Sequence, residues 1–157
     1  MAAQPIMRTR LVILGLTVVA SAALLACQKN DAPPAAPVAS TGHRVVIEVN
    51  VDGQERWEGI LNNVDNLQKA FGANKPQIEV VAHAKGLALL LATNEARKAR
   101  MQEEHEKGVI FAGCENTMRK QNVTKEQLLP FATTVDSGVA EVVRKQEAGW
   151  SYIKGGG

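Results

Sequence analysis

The sequence predicts an α/β domain in which a mostly parallel sheet carries helices on both faces. Three observations support that expectation. Five short runs rich in apolar and β-branched residues recur along residues 44–154, and helix-patterned segments separate them. Parallel strands need such crossovers, and a twisted sheet accepts them in one hand. No internal repeat is visible, and the 112 residues of 43–154 are enough for one domain to bury a core without disulfides. The order of the strands does not follow from the pattern.

Residues 44–51 (RVVIEVNV) are apolar and β-branched enough for a central first strand. Ile60, Leu61, Val64, Leu67 and Phe71 fall at helical spacing, and Gly72 is the expected stop. Residues 77–84 (QIEVVAHA) form the second strand, ending at His83 and followed by a turn at Gly86; the leucines of 87–91 (LALLL) read as core. Residues 94–107 predict a charged, exposed helix that Gly108 ends. A third strand over 109–112 is expected to break at Gly113 and deliver Cys114 to a helix start. Thr124 and Gln127 have the spacing of a capping box ahead of Pro130. Residues 131–135 then predict the fourth strand, 139–146 a helix and 150–154 the last strand. Gly155, Gly156 and Gly157 read as a bare tail.

The first 26 residues have the form of an export signal. Arg8 and Arg10 make a basic start, and residues 11–26 are 16 positions without a charge. That length suits a signal core better than a membrane span of about 20 residues. The run ends Leu24, Leu25, Ala26, Cys27, the form of a bacterial lipobox, in which the cysteine is acylated and becomes the new N-terminus. An uncleaved anchor is the alternative, and both readings leave the domain outside the cytoplasm. Gln28 in place of Asp after the lipidated cysteine points to a periplasm-facing lipoprotein of the outer membrane. Residues 27–42 follow as the lipidated cysteine and an Ala/Pro-rich tether. Extended at ~3 Å per residue, its 15 positions after Cys27 reach up to about 45 Å from the lipid surface.

Removing the leader changes the charge argument. The chain has 18 Lys+Arg against 16 Asp+Glu, but two of the arginines lie in the leader, so the mature chain is balanced. With six aromatics there is also little for base stacking, and no nucleic-acid partner is expected. Three scattered histidines have no zinc spacing. No phosphate-binding glycine loop, dinucleotide fingerprint or Ser-His-Asp order is present, so neither a metal nor a cofactor is expected.

One thiol remains, Cys114 in GVIFAGCENTM (108–118). A helix N-terminus stabilises a thiolate through its dipole and free N–H groups, whereas Glu115 next door works against it. The alternative is a small buried hydrophobe, as free cysteine often is. Asn116 and Thr117 are expected to cap the helix start, with amides placed to hold an anion. His83 ends the neighbouring strand on the same carboxyl edge and is a weak candidate base; a ring satisfied by a backbone carbonyl is the stronger expectation. His43 and His105 are expected to be solvated, and Trp150 and Tyr152 to serve as core or oligomer contacts.

Several blocks together resemble the small single-domain members of the DsrE/DsrF-like family: VVIEVNVDG, NNVDNLQKAFG, IEVVAHAKGLALLL with its AH after the second strand, GVIFAGCENTM with its C-x-N-T turn, and the SGVAEVVRKQEAGW ending. They cover nearly all of 44–154 in order. The resemblance implies a three-layer α/β/α sandwich with a mostly parallel five-stranded sheet, and homo-oligomers, commonly trimers or hexamers. In the family's sulfur-relay members a cysteine after a central strand carries persulfide sulfur between partner proteins, and the matching position is Cys114. The expected role is a membrane-tethered sulfur carrier or thiol-redox accessory with a donor or acceptor protein as partner, at most a transfer carrier rather than a classical enzyme. A binding or scaffolding lipoprotein of the same fold is the alternative.

Overall fold

The computed structural model describes residues 42–156. The signal segment 1–26, Cys27 and nearly all of the tether lie outside the described residues. The chain runs β1 (Arg44–Val49), α1 (Gln54–Phe71), β2 (Gln77–Ala82), α2 (Glu95–Glu106), β3 (Ile110–Cys114), α3 (Glu115–Gln121), β4 (Thr133–Val135), α4 (Gly138–Glu147) and β5 (Ser151–Gly155). Short 3-10 segments at Gly72–Asn74, Ala84–Leu90 and Lys125–Gln127 connect them. The five strands pair in the order β4-β3-β2-β1-β5, every pairing parallel.

This order makes the two faces of the sheet unequal. From β1 to β4 the chain steps in one direction, and then α4 carries it back to the far side of β1. With one hand of crossover, a connection that reverses direction must lie on the opposite face. Accordingly α1, α2 and α3 share a face, where Ile60, Leu61, Met101 and Met118 pack with Leu87, Leu89 and Leu90 over Ile47, Val80 and Phe111. Helix α4 covers the other face, where Val142 closes over Val46, Val81 and Ala112. The result is a three-layer α/β/α sandwich.

Helix α1 begins two turns before the expected start, because Trp57 extends the buried stripe of Ile60, Leu61 and Val64 at helical spacing. The Trp57 indole N–H donates to the Val51 carbonyl at 3.0 Å and ties that first turn to the end of β1. Helix α2 is less exposed than its composition suggests. Met101 and Glu104 are buried, while Arg100 pairs with Glu58 and Asp65 of α1, and Arg97 reaches Gln54. Its charges therefore dock one helix on another.

Three further expectations are corrected. Strand β3 does not break at Gly113 but runs on through Cys114. A Cβ at Gly113 would come within 3.3 Å of the Leu128 and Leu87 methyls, so the glycine admits the leucine layer against the strand. His105 is not solvated; its ring stacks on Phe131 with centroids 5.1 Å apart and its Nδ1 lies 3.2 Å from the Val109 carbonyl oxygen. The glycine tail is shorter than expected, since Gly155 is the buried last residue of β5 and a Cβ there would meet the Glu48 carbonyl oxygen at 2.6 Å. Leu87, Leu89 and Leu90 are core as expected and lie in a 3-10 segment, Leu91 after it is half-buried, and Gly86 is set so close to the Val49 carbonyl that no side chain fits.

Candidate functional site

Helix α3 follows β3 on one face of the sheet, and α4 follows β4 on the other. Between two strands whose connections leave to opposite faces a crevice opens at the carboxyl edge, where open α/β folds bind ligands. Cys114 stands there as the last residue of β3 and the residue capping α3. It is a free cysteine, 4% exposed.

Its surroundings are polar rather than leucine-lined. Burial pushes the thiol pKa up, but the nearby Thr117 hydroxyl and the backbone N–H groups of Gly138, Thr117 and Asn116 outweigh it and hold the pKa below its ordinary value. The start of α3 and the first residue of α4 thus flank Cys114. Thr117 is well placed to donate, because its oxygen already accepts the Ala84 N–H at 3.0 Å. Ala84 adopts a left-handed conformation with φ 48°, which turns the chain sharply after His83. The Asn116 side chain accepts from Arg119 and its backbone N–H donates to the Asp136 carbonyl at 3.3 Å, so the expectation that this amide holds an anion is corrected. Glu115, expected to oppose the thiolate, accepts a hydrogen bond from Thr134 at 2.9 Å and lies 3.8 Å from Arg119.

His83 lies beside Cys114, as expected. A Cβ at Gly138 would sit 2.9 Å from the His83 Cβ and 3.3 Å from the Cys114 Cβ, so the glycine is the spacer against which both pack. The expectation that a backbone carbonyl satisfies the ring is corrected. Nε2 is 2.8 Å from the Glu48 carboxylate, and both side chains are largely buried. Burial raises the Glu48 pKa, yet hydrogen bonds from Tyr152, His83 and Asn50, with the His83 charge, outweigh it and hold the carboxyl below its usual range. Tyr152 donates its hydroxyl to the same carboxylate, and that bond, reinforced by burial and the Glu48 charge, pushes the phenol up to about 12. Tyr152 is therefore a site neighbour, while Trp150 packs beside it under Lys145, whose Nζ is 4.3 Å from the ring centroid.

Sequence reasoning missed Glu48, Tyr152 and Gly138. The signal for Glu48 was a carboxylate inside an apolar central strand. Glu79, the second such acid, is 3% exposed and pairs with Lys145 of α4 at 2.5 Å. Nothing local marks Gly138 or Tyr152. Cys27 lies outside the described residues. Among the described residues no cluster of histidine, cysteine and acidic side chains is placed to hold a metal ion, and no helix is long and apolar enough to cross a membrane.

The fold and the site define a three-layer α/β protein with, among the described residues, one free cysteine, set in the carboxyl-edge crevice of a parallel sheet. The chain belongs to the DsrE/DsrF-like family, whose profile matches residues 61–154. A solved structure of a protein of unknown function from Methanobacterium thermoautotrophicum is similar, at 34% identity and a TM-score of 0.68, over 71% of this chain and 98% of that one. No curated protein matches the sequence.

Proposed function

We propose that the protein is a sulfur carrier or thiol-redox accessory in which Cys114 takes up sulfane sulfur as a persulfide and hands it to a partner. The observation that supports this most is the place of Cys114 at the carboxyl end of β3, where α3 begins and where His83 and the Gly138 start of α4 pack against it. A core cysteine among aliphatic side chains would have its pKa raised by burial, whereas the polar groups of the two helix starts hold this one below its ordinary value. The same groups suit a persulfide anion. The test is a pH series of iodoacetamide alkylation, followed by intact mass after exposure to glutathione persulfide. The expected outcome is an alkylation midpoint below about 8.5 and a gain of one sulfur that Cys114→Ser abolishes. A thiol inert to alkylation up to pH 9, or a mass that never changes, refutes the reading.

A second reading draws on a different observation. With Cys114 only 4% exposed, a donor reaches the sulfur only if the α4 start gives way. The α4 side of the sheet meanwhile presents Val139, Val143, Ile110 and Tyr152 to solvent. Those features favour a binding or scaffolding role for the same fold, with the thiol incidental.

In either role the reading places the domain in the bacterial envelope as a homo-oligomer, a trimer or hexamer, tethered through an acylated Cys27. The lipobox-like run of residues 24–27 supports the anchor, and the exposed apolar residues on the α4 side support self-association. Mass spectrometry of the membrane fraction tests the first, for which an intact unmodified peptide spanning residues 20–35 is the contrary result. Light scattering on residues 43–157 tests the second, for which a strict monomer at tens of micromolar is the contrary result.

A further inference from the structure

We propose that Glu48 and Tyr152 hold His83 as the proton donor to the thiolate that departs when Cys114 takes up sulfur; the inference rests on the carrier reading. Tyr152, Glu48, His83 and Cys114 come from β5, β1, the end of β2 and β3, four strands that lie side by side in the sheet. They run obliquely across the α4 face, from Tyr152 near the middle of the sheet to His83 and Cys114 at its carboxyl edge, with Tyr152 to Glu48 and Glu48 to His83 hydrogen bonds along the way.

The row sets the orientation of the imidazole. The Glu48 carboxylate lies 2.8 Å from Nε2, which leaves Nδ1 as the ring nitrogen not engaged by Glu48. The Tyr152 hydroxyl fixes the other carboxylate oxygen and so the orientation of the whole row. The charged groups that face the row from α4 and its approach are otherwise engaged. Glu141 and Lys145 belong with Glu79, and Asp136 is clamped by Arg144. From α3, Glu115 is held by Thr134 and Arg119. From β5, Lys154 stands across from Glu48, whereas His83 is the titratable side chain that strand register and the Gly138 spacer set beside Cys114.

The step balances without an added oxidant. The Cys114 thiol passes its proton to Nδ1 of His83, and the thiolate attacks the outer sulfur of a donor persulfide, R–S–SH. The new bond joins Cys114 to that sulfur, and the donor's S–S bond breaks. The pair of electrons goes to the departing R–S⁻, which takes the proton from Nδ1 and leaves as R–SH. Cys114 is oxidised to the persulfide while the donor is reduced to the thiol. The amides around Cys114 already stabilise its thiolate, so His83 contributes most where the departing thiolate is a strong base.

That dependence gives the test. Sulfur uptake is measured by intact mass against time for the wild-type chain, Glu48→Gln, His83→Gln and Tyr152→Phe, with glutathione persulfide and with a nitrothiophenol persulfide. Glu48→Gln and His83→Gln are expected to slow uptake from the glutathione donor at least about tenfold. The nitroaryl donor, whose thiolate is a weak base, should lose less than about threefold, and iodoacetamide alkylation at pH 9 should be unchanged. Tyr152→Phe, which removes only the outermost hydroxyl, should show the same ranking of donors with a smaller loss. Equal losses with both donors, or no loss, overturn the inference while leaving the carrier reading standing. No uptake by the wild-type chain from either donor overturns the carrier reading, and this inference with it.

Discussion

The two faces of the sheet are built on different principles. The face under α1, α2 and α3 is a continuous apolar layer in which Ile47, Val80, Phe111 and three leucines are wholly buried. The face under α4 has a small apolar patch around Val46, Val81 and Ala112, and around it buried or half-buried polar groups: Glu79 with Lys145, Glu48 with His83, and Cys114 among amides. The first face contributes stability through area removed from water, of order 2 kcal/mol per buried aliphatic side chain. The second forgoes part of that contribution, because each buried polar group must be satisfied before it stops costing free energy. One sheet therefore carries its stability on one side and its chemistry on the other.

Truncation on each face tests this division most strongly. Phe111→Ala is expected to cost about 3–5 kcal/mol in denaturant unfolding, and Val142→Ala on the α4 side about 1–2 kcal/mol. Equal costs would mean that the faces contribute alike. Next in size, Lys145→Met leaves the buried Glu79 carboxylate unpaired and is expected to cost about 3 kcal/mol. Pairing it with Glu79→Leu should restore near wild-type stability. If the double variant stays as unstable as the single one, the ion pair is contributing more than its own desolvation.

Gly138→Ala is expected to cost about 1–3 kcal/mol, because the new methyl overlaps His83 and presses on Cys114. It should also raise the alkylation midpoint of Cys114, since the Gly138 N–H is displaced from the sulfur. A destabilised variant with an unchanged midpoint would remove Gly138 from the thiol's donors. The smallest effect is expected at Tyr152. Its folded pKa, about 12, is raised above the ordinary value of about 10. The stability it contributes is thus fully present below pH ~10 and is lost as pH rises through 12. Tyr152→Phe should flatten the fall in stability across that window relative to wild type. Parallel curves would show that the phenol's bond to Glu48 is not a folding contact.

The elements were legible because their signals are local. Apolar strands at 44–51 and 77–84, the helical stripe through Val64 and the Thr124–Gln127 capping box each depend on neighbours a few residues away, and each is present in the fold. Boundaries shifted where a distant partner intervened. Trp57 drew α1 back toward the end of β1, and the leucines at 87 and 128 carried β3 past Gly113. The site was half legible. Cys114 and His83 stood out by residue type, but the hydrogen-bonding partner of His83 was misjudged, because Glu48 is 35 residues away and Tyr152 is 104 residues from Glu48.

The sequence by itself determined the class of fold, the single thiol of residues 43–154, its place at a strand end ahead of a helix, and the resemblance that names the family. These rest on periodicity, composition and short motifs, which a linear chain displays in full. Only the tertiary structure decided the order β4-β3-β2-β1-β5, the unequal faces that follow from it, and the meeting of two helix starts beside Cys114. Strand order is a choice among pairings of similar local energy, settled by which apolar faces bury each other. A site assembled from β1, β2, β3, β5 and α4 exists only after that choice is made.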